Sequence, residues 1–314
     1  MALRIVFCGT PAFALPSFRH LLSQSDFQIE AVITQPDRPR GRGGEVTSPV
    51  IKDAALAAGI SVYQPERIKS DSARDFLDRV APDVVVIIAY GQIIPARLIE
   101  MPRLGWINLH ASLLPKFRGA APIQWAILEG ETRTGVTTMQ IDAGLDTGPI
   151  LLQKETMIAR DETAPQLSAA LAELGAPLVA ETLRGLAAGT LVPTPQDHSK
   201  ATLARPLKKE DGLIHWNLPA PMIYARIRAL DPWPGAYTTF RGVKCRIWGK
   251  QIFPVAAGGR PGFLMPTQED GLLVICGENT VFRVEYIQRE GRNRITDREF
   301  INGARVEPGE RFGD

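Results

Sequence analysis

The stretch Asp-Val-Val-Val-Ile-Ile-Ala at residues 83–89 limits the fold of this chain more than any other segment does. After the aspartate, its residues are apolar at both odd and even positions, and most are β-branched, so a strand here would be buried on both faces. Such strands are typical of a parallel sheet that is covered by helices on each side. Short apolar runs and amphipathic helical segments alternate around this stretch. The pattern predicts an α/β fold with a Rossmann-like, doubly wound, mostly parallel sheet.

The composition and hydrophobic periodicity of the sequence change after residue 189. Residues 190–207 contain three prolines and little periodicity, which predicts a linker. Beyond the linker, short strand candidates separated by Gly and Pro indicate a small β-barrel or sandwich. We therefore expect an α/β domain at residues 1–189, a linker at 190–207 and a C-terminal OB-like β-barrel domain at 208–314.

The charge of the chain is distributed unevenly along its length. From Arg205 onward there are 17 basic and 13 acidic residues, whereas the preceding part has 19 basic and 21 acidic residues. An excess of positive charge has the sign expected of a domain that contacts a phosphate backbone. An ordinary fluctuation of charge explains the same numbers equally well.

The three cysteines, Cys8, Cys245 and Cys276, are scattered and odd in number. They favour neither a disulfide framework nor a metal site, and they fit a reducing compartment. The first residues lack the apolar stretch and cleavage site of a signal peptide, and no run approaches the roughly 20 apolar residues of a membrane helix. These features predict a cytoplasmic protein without a membrane segment or a metal.

Asn108 and His110 end a predicted strand that begins at Trp106. In an open parallel sheet, ligands bind outside the carboxyl ends of the strands. Residues two apart in a strand project to the same side, so an amide and an imidazole would lie next to each other. Together they can bind and polarise a carbonyl oxygen and move a proton. The alternative is a histidine that is merely hydrogen-bonded scaffolding, which is the commoner case.

A second candidate loop spans residues 140–149 and holds two acidic residues and two glycines. Glycines permit a tight backbone path. An aspartate here would orient an imidazole and favour its charged form. We assign this role to Asp146 and a turn-capping role to Asp142, although the spacing alone does not separate the two.

Residues 36–44 place three arginines, Arg38, Arg40 and Arg42, among Pro and Gly. The segment has almost no apolar residues and cannot pack as core. It is either an arm that docks on nucleic acid through phosphate contacts or an exposed solvated loop. The first strand is followed by the single glycine Gly9 and not by a Gly-x-Gly-x-x-Gly fingerprint, which argues against dinucleotide binding.

These motifs together resemble the folate-dependent formyltransferase family. The match lies in Asn108 and His110 with residues 112–119 (Ser-Leu-Leu-Pro-Lys-Phe-Arg-Gly), and in residues 144–148 (Gly-Leu-Asp-Thr-Gly). The resemblance implies that Asn108, His110 and Asp146 form the catalytic group and that the formyl donor is 10-formyltetrahydrofolate. It implies a folate site formed by Tyr90, Ser112, Leu113, Leu114, Pro115 and Gly119.

The resemblance extends over nearly the whole chain to the branch of that family that formylates the methionine carried by initiator tRNA. It is found in residues 7–11, 35–43, 89–91 and 231–236. It implies a monomer whose partners are initiator Met-tRNA and folate. The implied tRNA-binding residues are Arg38, Arg40, Arg42, Lys208 and Lys209.

Three other functions remain open at this point. A formyltransferase acting on a sugar-nucleotide amine, or a 10-formyltetrahydrofolate hydrolase, would share Asn108, His110 and Asp146. The arginine-rich loop favours tRNA, because a small acceptor does not need it. A non-catalytic RNA-binding protein on the same scaffold belongs to a different class, and the intact catalytic motifs argue against it.

Overall fold

The computed structural model of the chain describes residues 2–40, 45–252 and 258–313. The side chains of Arg40, Glu45 and Ile252 lie outside this description, as does the whole of Arg42. By their contacts, the described residues divide into two compact units. The first unit comprises Met1–Pro122, Arg133–Met157 and Gln166–Arg205, and the second comprises Ile123–Thr132, Ile158–Pro165 and Pro206–Asp314.

The strands up to residue 205 all belong to the first unit. They are β1 (Leu3–Gly9), β2 (Phe27–Ile33), β3 (Arg38–Arg40), β4 (Glu45–Thr47), β5 (Ser61–Tyr63), β6 (Val84–Ile88), β7 (Trp106–His110), β8 (Arg118–Gly119), β9 (Arg133–Gln140), β10 (Ile150–Met157) and β11 (Leu203–Ala204). Within the described residues, the main sheet has seven strands in the order β10-β9-β7-β6-β1-β2-β5. The five strands from β7 to β5 run parallel, and β9 and β10 extend the sheet in antiparallel fashion. The mostly parallel sheet that the sequence predicts is confirmed.

The helices of the chain are α1 (Leu15–Leu22), α2 (Val50–Ala57), α3 (Asp71–Val80), α4 (Ala96–Ile99), α5 (Pro122–Leu128), α6 (Ala164–Ala188), α7 (Ala220–Leu230) and α8 (Asp297–Ala304). Helix α1 begins only after a 3₁₀ turn at Ala12–Ala14 and carries a proline in its first turn, where the missing N–H costs nothing. Helix α3 has Asp71 in its first turn and ends at Ala81, which has a left-handed backbone. None of the helices within the described residues is long and apolar enough to cross a membrane.

Helices cover both faces of the main sheet. Alternate residues of β1 point to opposite sides: Phe7 packs edge-on against Phe18 of α1, with ring centres 5.3 Å apart, whereas Val6 lies in a core with Leu77 of α3. Every residue of β6 is buried. Each fully buried aliphatic side chain stabilises the fold by about 1.5–3 kcal/mol, so this strand anchors the unit.

The strand order reverses between β1 and β6, because the chain first builds the sheet outward through β2 and β5 and then returns to the other side of β1. Ligand sites of open α/β sheets lie at this switch point, beyond the carboxyl ends of the strands. The loops after β1 and β6 meet there: the hydroxyl of Thr10 and the amide Nε2 of Gln35 both donate to the carbonyl of Tyr90, at 3.5 and 3.0 Å.

The second unit is built on an antiparallel sheet, as the sequence predicts for the C-terminal domain. Its strands are β12 (Tyr237–Phe240), β13 (Val243–Ile252), β14 (Leu264–Thr267), β15 (Gly271–Ile275), β16 (Val281–Arg289) and β17 (Ile295–Thr296). They pair in the order β12-β13-β16-β15-β14, with β17 on β16. The core is aromatic: Trp216 stacks on Phe312 at 5.6 Å, and Phe240 meets Phe300 edge-on at 5.2 Å. Helix α8 starts with a capping box formed by Thr296 and Glu299.

The predicted linker, residues 190–207, is largely held against the first unit. Thr194 exchanges two backbone hydrogen bonds of 2.8 Å with Ile150, and β11 pairs in parallel with β8. Because these bonds are made by the backbone, no periodic pattern of side chains predicts them. The boundaries of the domains at 189 and 207 stay predictions.

Candidate active site

Asn108 and His110 project from the same face of β7, at its carboxyl end. Between them, Leu109 points the other way and lies against Gly175 of α6, where a β-carbon would collide with the Leu109 side chain. His110 is 6% exposed and Asn108 is half-buried. Within the described residues, the side chain of Asn108 has no hydrogen-bond partner, so its amide is available to a ligand.

The hydrogen bonds of His110 distinguish its two ring nitrogens. Nε2 lies 2.8 Å from the carbonyl oxygen of Phe117. A carbonyl only accepts, so Nε2 carries a proton and donates it. Nδ1 lies 3.7 Å from Oδ2 of Asp146, which is too long for a hydrogen bond. In the neutral imidazole, Nδ1 is therefore the nitrogen with a free lone pair, and it is the atom that can take up a proton and pass it on.

Asp146 lies beside His110 and has an unusual backbone conformation. Its φ is +52°, in the left-handed region, which costs a non-glycine residue about 1 kcal/mol or more. Oδ2 accepts a 2.8 Å hydrogen bond from the N–H of Gly119 and faces the imidazole. Asp142, in contrast, accepts from the N–H of Gly144 and the hydroxyl of Thr147. Asp142 therefore caps the turn, and Asp146 is the carboxylate directed at the histidine.

The predicted folate loop, residues 112–119, is pinned to β9 by one hydroxyl. Thr137 is fully buried; its Oγ1 donates to the carbonyl of Ser112 and accepts from the N–H of Leu114 and from Nε2 of Gln153, at 2.6, 3.1 and 2.9 Å. A hydroxyl has one proton and two lone pairs, so Thr137 is saturated. The side chain of Leu113 packs over Gly135. Thr137 and Gln153 were not among the predicted site residues, because each has other polar residues in its strand and only its contacts distinguish it.

The other predicted folate residues occupy different positions around this loop. Pro115 follows a cis peptide bond, and Gly119 has a φ of +117° with the carbonyl of Ala204 close to where a β-carbon would be. Tyr90 is 2% exposed and belongs to the core beneath the loops, so its phenol has little open surface. Burial raises the pKa of Tyr90.

Arg118 and Gln196 are two buried polar residues next to Asp146 that were not among the predicted site residues. Nε and Nη2 of Arg118 both donate to Oε1 of Gln196, at 3.0 and 2.7 Å, and Nη1 bonds Nδ1 of His198 at 3.2 Å. Gln196 in turn donates to the carbonyls of Asp146 and Gly148, at 2.9 and 2.7 Å. The only sequence signal was the position of Arg118 in the motif at residues 112–119.

The arginine-rich segment begins as a hairpin, β3 with β4, rather than as an irregular loop. Arg38 is exposed, and its guanidinium lies 3.9 Å from the carboxylate of Glu66. Asp37 ties the base of the hairpin down through Lys52 at 2.5 Å and Gln64 at 2.8 Å. The bond from Lys52 lowers the pKa of Asp37.

The antiparallel sheet of the second unit carries a basic and aromatic face, whose residues were not among the predicted site residues. Lys244 lies 3.6 Å from the ring centre of Tyr237, and Arg246 lies 4.9 Å from that of Trp248. Arg294 lies over the rings of both Tyr286 and Trp248, at 4.0 and 4.7 Å. Lys208 and Lys209, the two predicted tRNA-binding lysines of this unit, are exposed at the start of a 3₁₀ turn.

Two family models match the chain along most of its length. The model described as formyl transferase matches residues 3–183, and the model of the formyl transferase C-terminal domain matches residues 206–305. The chain belongs to the formyl transferase family. The resemblance inferred from the motifs is thereby confirmed.

The relatives of this formyl transferase include the methionyl-tRNA formyltransferase of Solibacter usitatus. The two sequences are 51% identical over 312 residues, which cover 99% of each chain. The methionyl-tRNA formyltransferase of Koribacter versatilis is 50% identical over 98% of each chain. Sequence identity of this size over the full length shows that the chain is a formyl transferase enzyme.

Solved structures share the fold at lower sequence identity. The sugar 3N-formyl transferase WlaRD, crystallised with dTDP and 5-N-formyl-THF, superposes with a TM-score of 0.68 at 20% identity and covers 93% of this chain and all of its own. The formyl transferase fold, a Rossmann-like domain followed by an antiparallel β domain, is therefore shown by structure as well as by sequence.

Proposed function

We propose that this enzyme transfers the formyl group of 10-formyltetrahydrofolate to the α-amino group of methionine on initiator tRNA, for the initiation of translation. The observation that carries the proposal is the end-to-end identity of 51% with a methionyl-tRNA formyltransferase. The arrangement of Asn108, His110 and Asp146 at the carboxyl edge of the sheet supports it. The folate donor is supported by the family and by the presence of 5-N-formyl-THF in the WlaRD crystals.

The reaction breaks the bond between the formyl carbon and N10 of the folate and forms a bond from that carbon to the amine of methionine. The formyl oxygen gains negative charge on the way. The amide of Asn108 and the protonated Nδ1 of His110 are the donors we assign to that oxygen. Asp146 stabilises the charged imidazole, and the amine gives up a proton while N10 gains one. No covalent bond to the enzyme is needed.

The loop at residues 112–119 is assigned to the folate donor together with Tyr90. Its backbone is held by Thr137, and it supplies the Phe117 carbonyl to His110 and the Gly119 N–H to Asp146. A donor bound along this loop would therefore lie against the three catalytic groups. Of the assigned folate residues, Ser112 keeps its hydroxyl on the Lys116 carbonyl at 2.6 Å, so its contribution is to shape the loop.

The tRNA acceptor is assigned to two basic surfaces, one in each unit. The first carries the exposed Arg38, and Arg40 and Arg42 are assigned to it from the sequence motif alone; the second includes Lys208 and Lys209. The face with Arg246 and Arg294 over aromatic rings adds cations and π-surfaces suited to RNA. We also propose that the enzyme acts as a monomer in the cytoplasm.

The decisive experiment follows labelled formyl from 10-formyltetrahydrofolate onto Met-tRNA, with uncharged tRNA and free methionine as controls. Product on Met-tRNA alone is the expected result. Formate release, or transfer to a sugar-nucleotide amine in place of Met-tRNA, would contradict the proposed acceptor.

Two substitutions test the catalytic assignment in the same assay. Removal of one oxyanion donor, in N108A or H110A, is expected to reduce kcat about 10²–10³-fold. The matched control is H20A, since His20 lies on α1 outside the site. Near-wild-type turnover by H110A would remove His110 from the mechanism.

Salt dependence tests the acceptor. Contacts to phosphates release counterions, so the KM for tRNA is expected to rise steeply with salt, while the KM for folate changes little. Charge removal in R38A is expected to make the slope for tRNA shallower. Equal slopes for both substrates would argue against binding through these basic surfaces.

A further inference from the structure

Arg118 is a buried cation whose guanidinium forms no ion pair with any carboxylate among the described residues. The residue is 6% exposed, yet within the described part of the chain its guanidinium bonds only the amide oxygen of Gln196 and the imidazole of His198. Buried arginines are usually paired with carboxylates, because leaving the charge uncompensated is costly. The reason for a neutral partner lies in the NH₂ group of the same Gln196 side chain, which donates two further hydrogen bonds.

The orientation of the Gln196 amide is dictated by Arg118. An arginine has only donors, so the atom that faces it must be the oxygen Oε1. The NH₂ group is thereby turned toward the loop with Asp146, where its two hydrogens meet the carbonyls of Asp146 and Gly148. All hydrogen-bonding positions of the amide are used: Oε1 accepts two bonds and Nε2 donates two.

These two carbonyls lie on either side of Thr147, directly after the left-handed backbone of Asp146. The Gln196 amide fixes the main chain of Asp146, and the N–H of Gly119, next to Arg118, fixes its carboxylate. A glutamate at position 196 would satisfy Arg118 better, but it has no hydrogen to give to the carbonyls. The amide is thus the one side chain of this length that serves both the arginine and the loop.

We propose that Arg118 and Gln196 are positioning residues of the formyl-transfer site: the arginine orients the Gln196 amide, and the amide holds Asp146 in its left-handed conformation so that the carboxylate faces His110. The proposal rests on the proposed function, in which Asp146 is catalytic. It also gives the segment after residue 190 a part in catalysis, because Gln196 comes from the predicted linker and reaches Asp146 across 50 positions of sequence.

The test is the isosteric substitution Gln196→Glu. It keeps the volume and gives Arg118 a carboxylate partner, which favours the ionised form of the new side chain, but it places negative oxygen against the carbonyls of Asp146 and Gly148. Because the new ion pair with Arg118 offsets the two lost hydrogen bonds, we expect the variant to fold with a thermal stability close to that of wild type. We expect it to lose kcat on the order of 100-fold, with KM values for donor and tRNA within about twofold of wild type. Gln28→Glu, at the exposed start of β2, is the matched control and is expected to be unaffected.

A double-mutant cycle with Asp146→Asn shows whether Gln196 acts through Asp146. If it does, Gln196→Glu causes no further loss of kcat in the Asp146→Asn background. A full loss on top of Asp146→Asn, or unchanged kcat in Gln196→Glu alone, would overturn the proposal.

A crystal structure of Gln196→Glu separates this proposal from the proposed function. The positioning role requires that the φ of Asp146 change or that its carboxylate leave the N–H of Gly119. An unchanged loop would refute the positioning role whatever the enzyme formylates. Failure of the wild-type enzyme to formylate Met-tRNA, with a displaced loop in the variant, would instead refute only the choice of acceptor.

Discussion

Removal of the Thr137 hydroxyl, in Thr137→Val, is the sharpest test of how the site is held. Valine has nearly the same shape, so packing is kept and only the hydrogen bonds are lost. The carbonyl of Ser112 and the N–H of Leu114 lose their partner, whereas Gln153 keeps a 2.9 Å bond to the Leu114 carbonyl. With a net contribution of about 0.5–1.5 kcal/mol for each of three hydrogen bonds, we expect a loss of about 2–4 kcal/mol in the free energy of unfolding.

The neighbouring substitution Thr138→Val is the matched control. Thr138 is equally buried in β9 but faces α6, where Thr182 uses its own proton on the carbonyl of Leu178, so that Thr138 must donate to Thr182 at 2.8 Å. It also accepts from the N–H of Leu152 at 3.1 Å. Losing these bonds is expected to cost about 1–3 kcal/mol, with no effect on the loop that carries the folate residues.

The assay combines urea denaturation with formyl-transfer kinetics at a temperature where both variants are folded. Thr137→Val is expected to lower kcat/KM for the formyl donor by about tenfold or more, which corresponds to about 1.4 kcal/mol of transition-state stabilisation. Thr138→Val should stay within about twofold of wild type. Equal activities of the two variants would refute the argument that the Thr137 hydroxyl positions residues 112–119.

Three further predictions concern stability and thiol chemistry. Gly119→Ala should lower the free energy of unfolding by about 2 kcal/mol or more, measured by urea denaturation, because φ is +117° and a backbone carbonyl of β11 lies 2.7 Å from the added carbon. The hydrogen bond from Arg184 lowers the pKa of Asp26, so its stabilisation is complete above the ordinary carboxyl pKa and is lost as pH falls through the lowered value. Asp26→Asn should therefore cost less than about 1 kcal/mol at neutral pH, and the cost in thermal melts should shrink as the pH falls below the ordinary carboxyl pKa; a difference that does not shrink with falling pH would contradict the ion pair. Burial raises the pKa of Cys8, and that of Cys276 to about 12, so mass spectrometry should find both unmodified after native treatment with iodoacetamide at about pH 8; labelling before unfolding would contradict their burial.

Much of the fold follows from local patterns in the sequence. The apolar run of β6 requires cover on both faces, and the structure buries all of its residues. Asn108 and His110 share a face because side chains alternate along a strand, with Leu109 on the opposite side against α6. The change of composition and periodicity after residue 189 indicates a second kind of domain, and the antiparallel sheet follows it.

Other features left no periodic signal. The direction of β9 and β10, antiparallel at the edge of the parallel sheet, depends on chain reversal and not on residue type. Residues 190–205 are attached to the first unit by backbone hydrogen bonds and by the pairing of two short strands. The proline-rich composition of this segment does not predict either kind of contact. Thr137 is one threonine among several in its strand, and only its contacts distinguish it.

The sequence by itself determined which residues have the chemistry for the site: an amide and an imidazole at a strand end, two candidate aspartates in a glycine loop, and arginines in an apolar-poor segment. Only the tertiary structure decided that Asp146 and not Asp142 faces the imidazole, and that Gln196 holds the loop in this state. The physical reason is that residue type and short-range period reflect local backbone geometry. The direction of a carboxylate or an amide, in contrast, depends on hydrogen-bond partners that the fold brings together from distant parts of the chain.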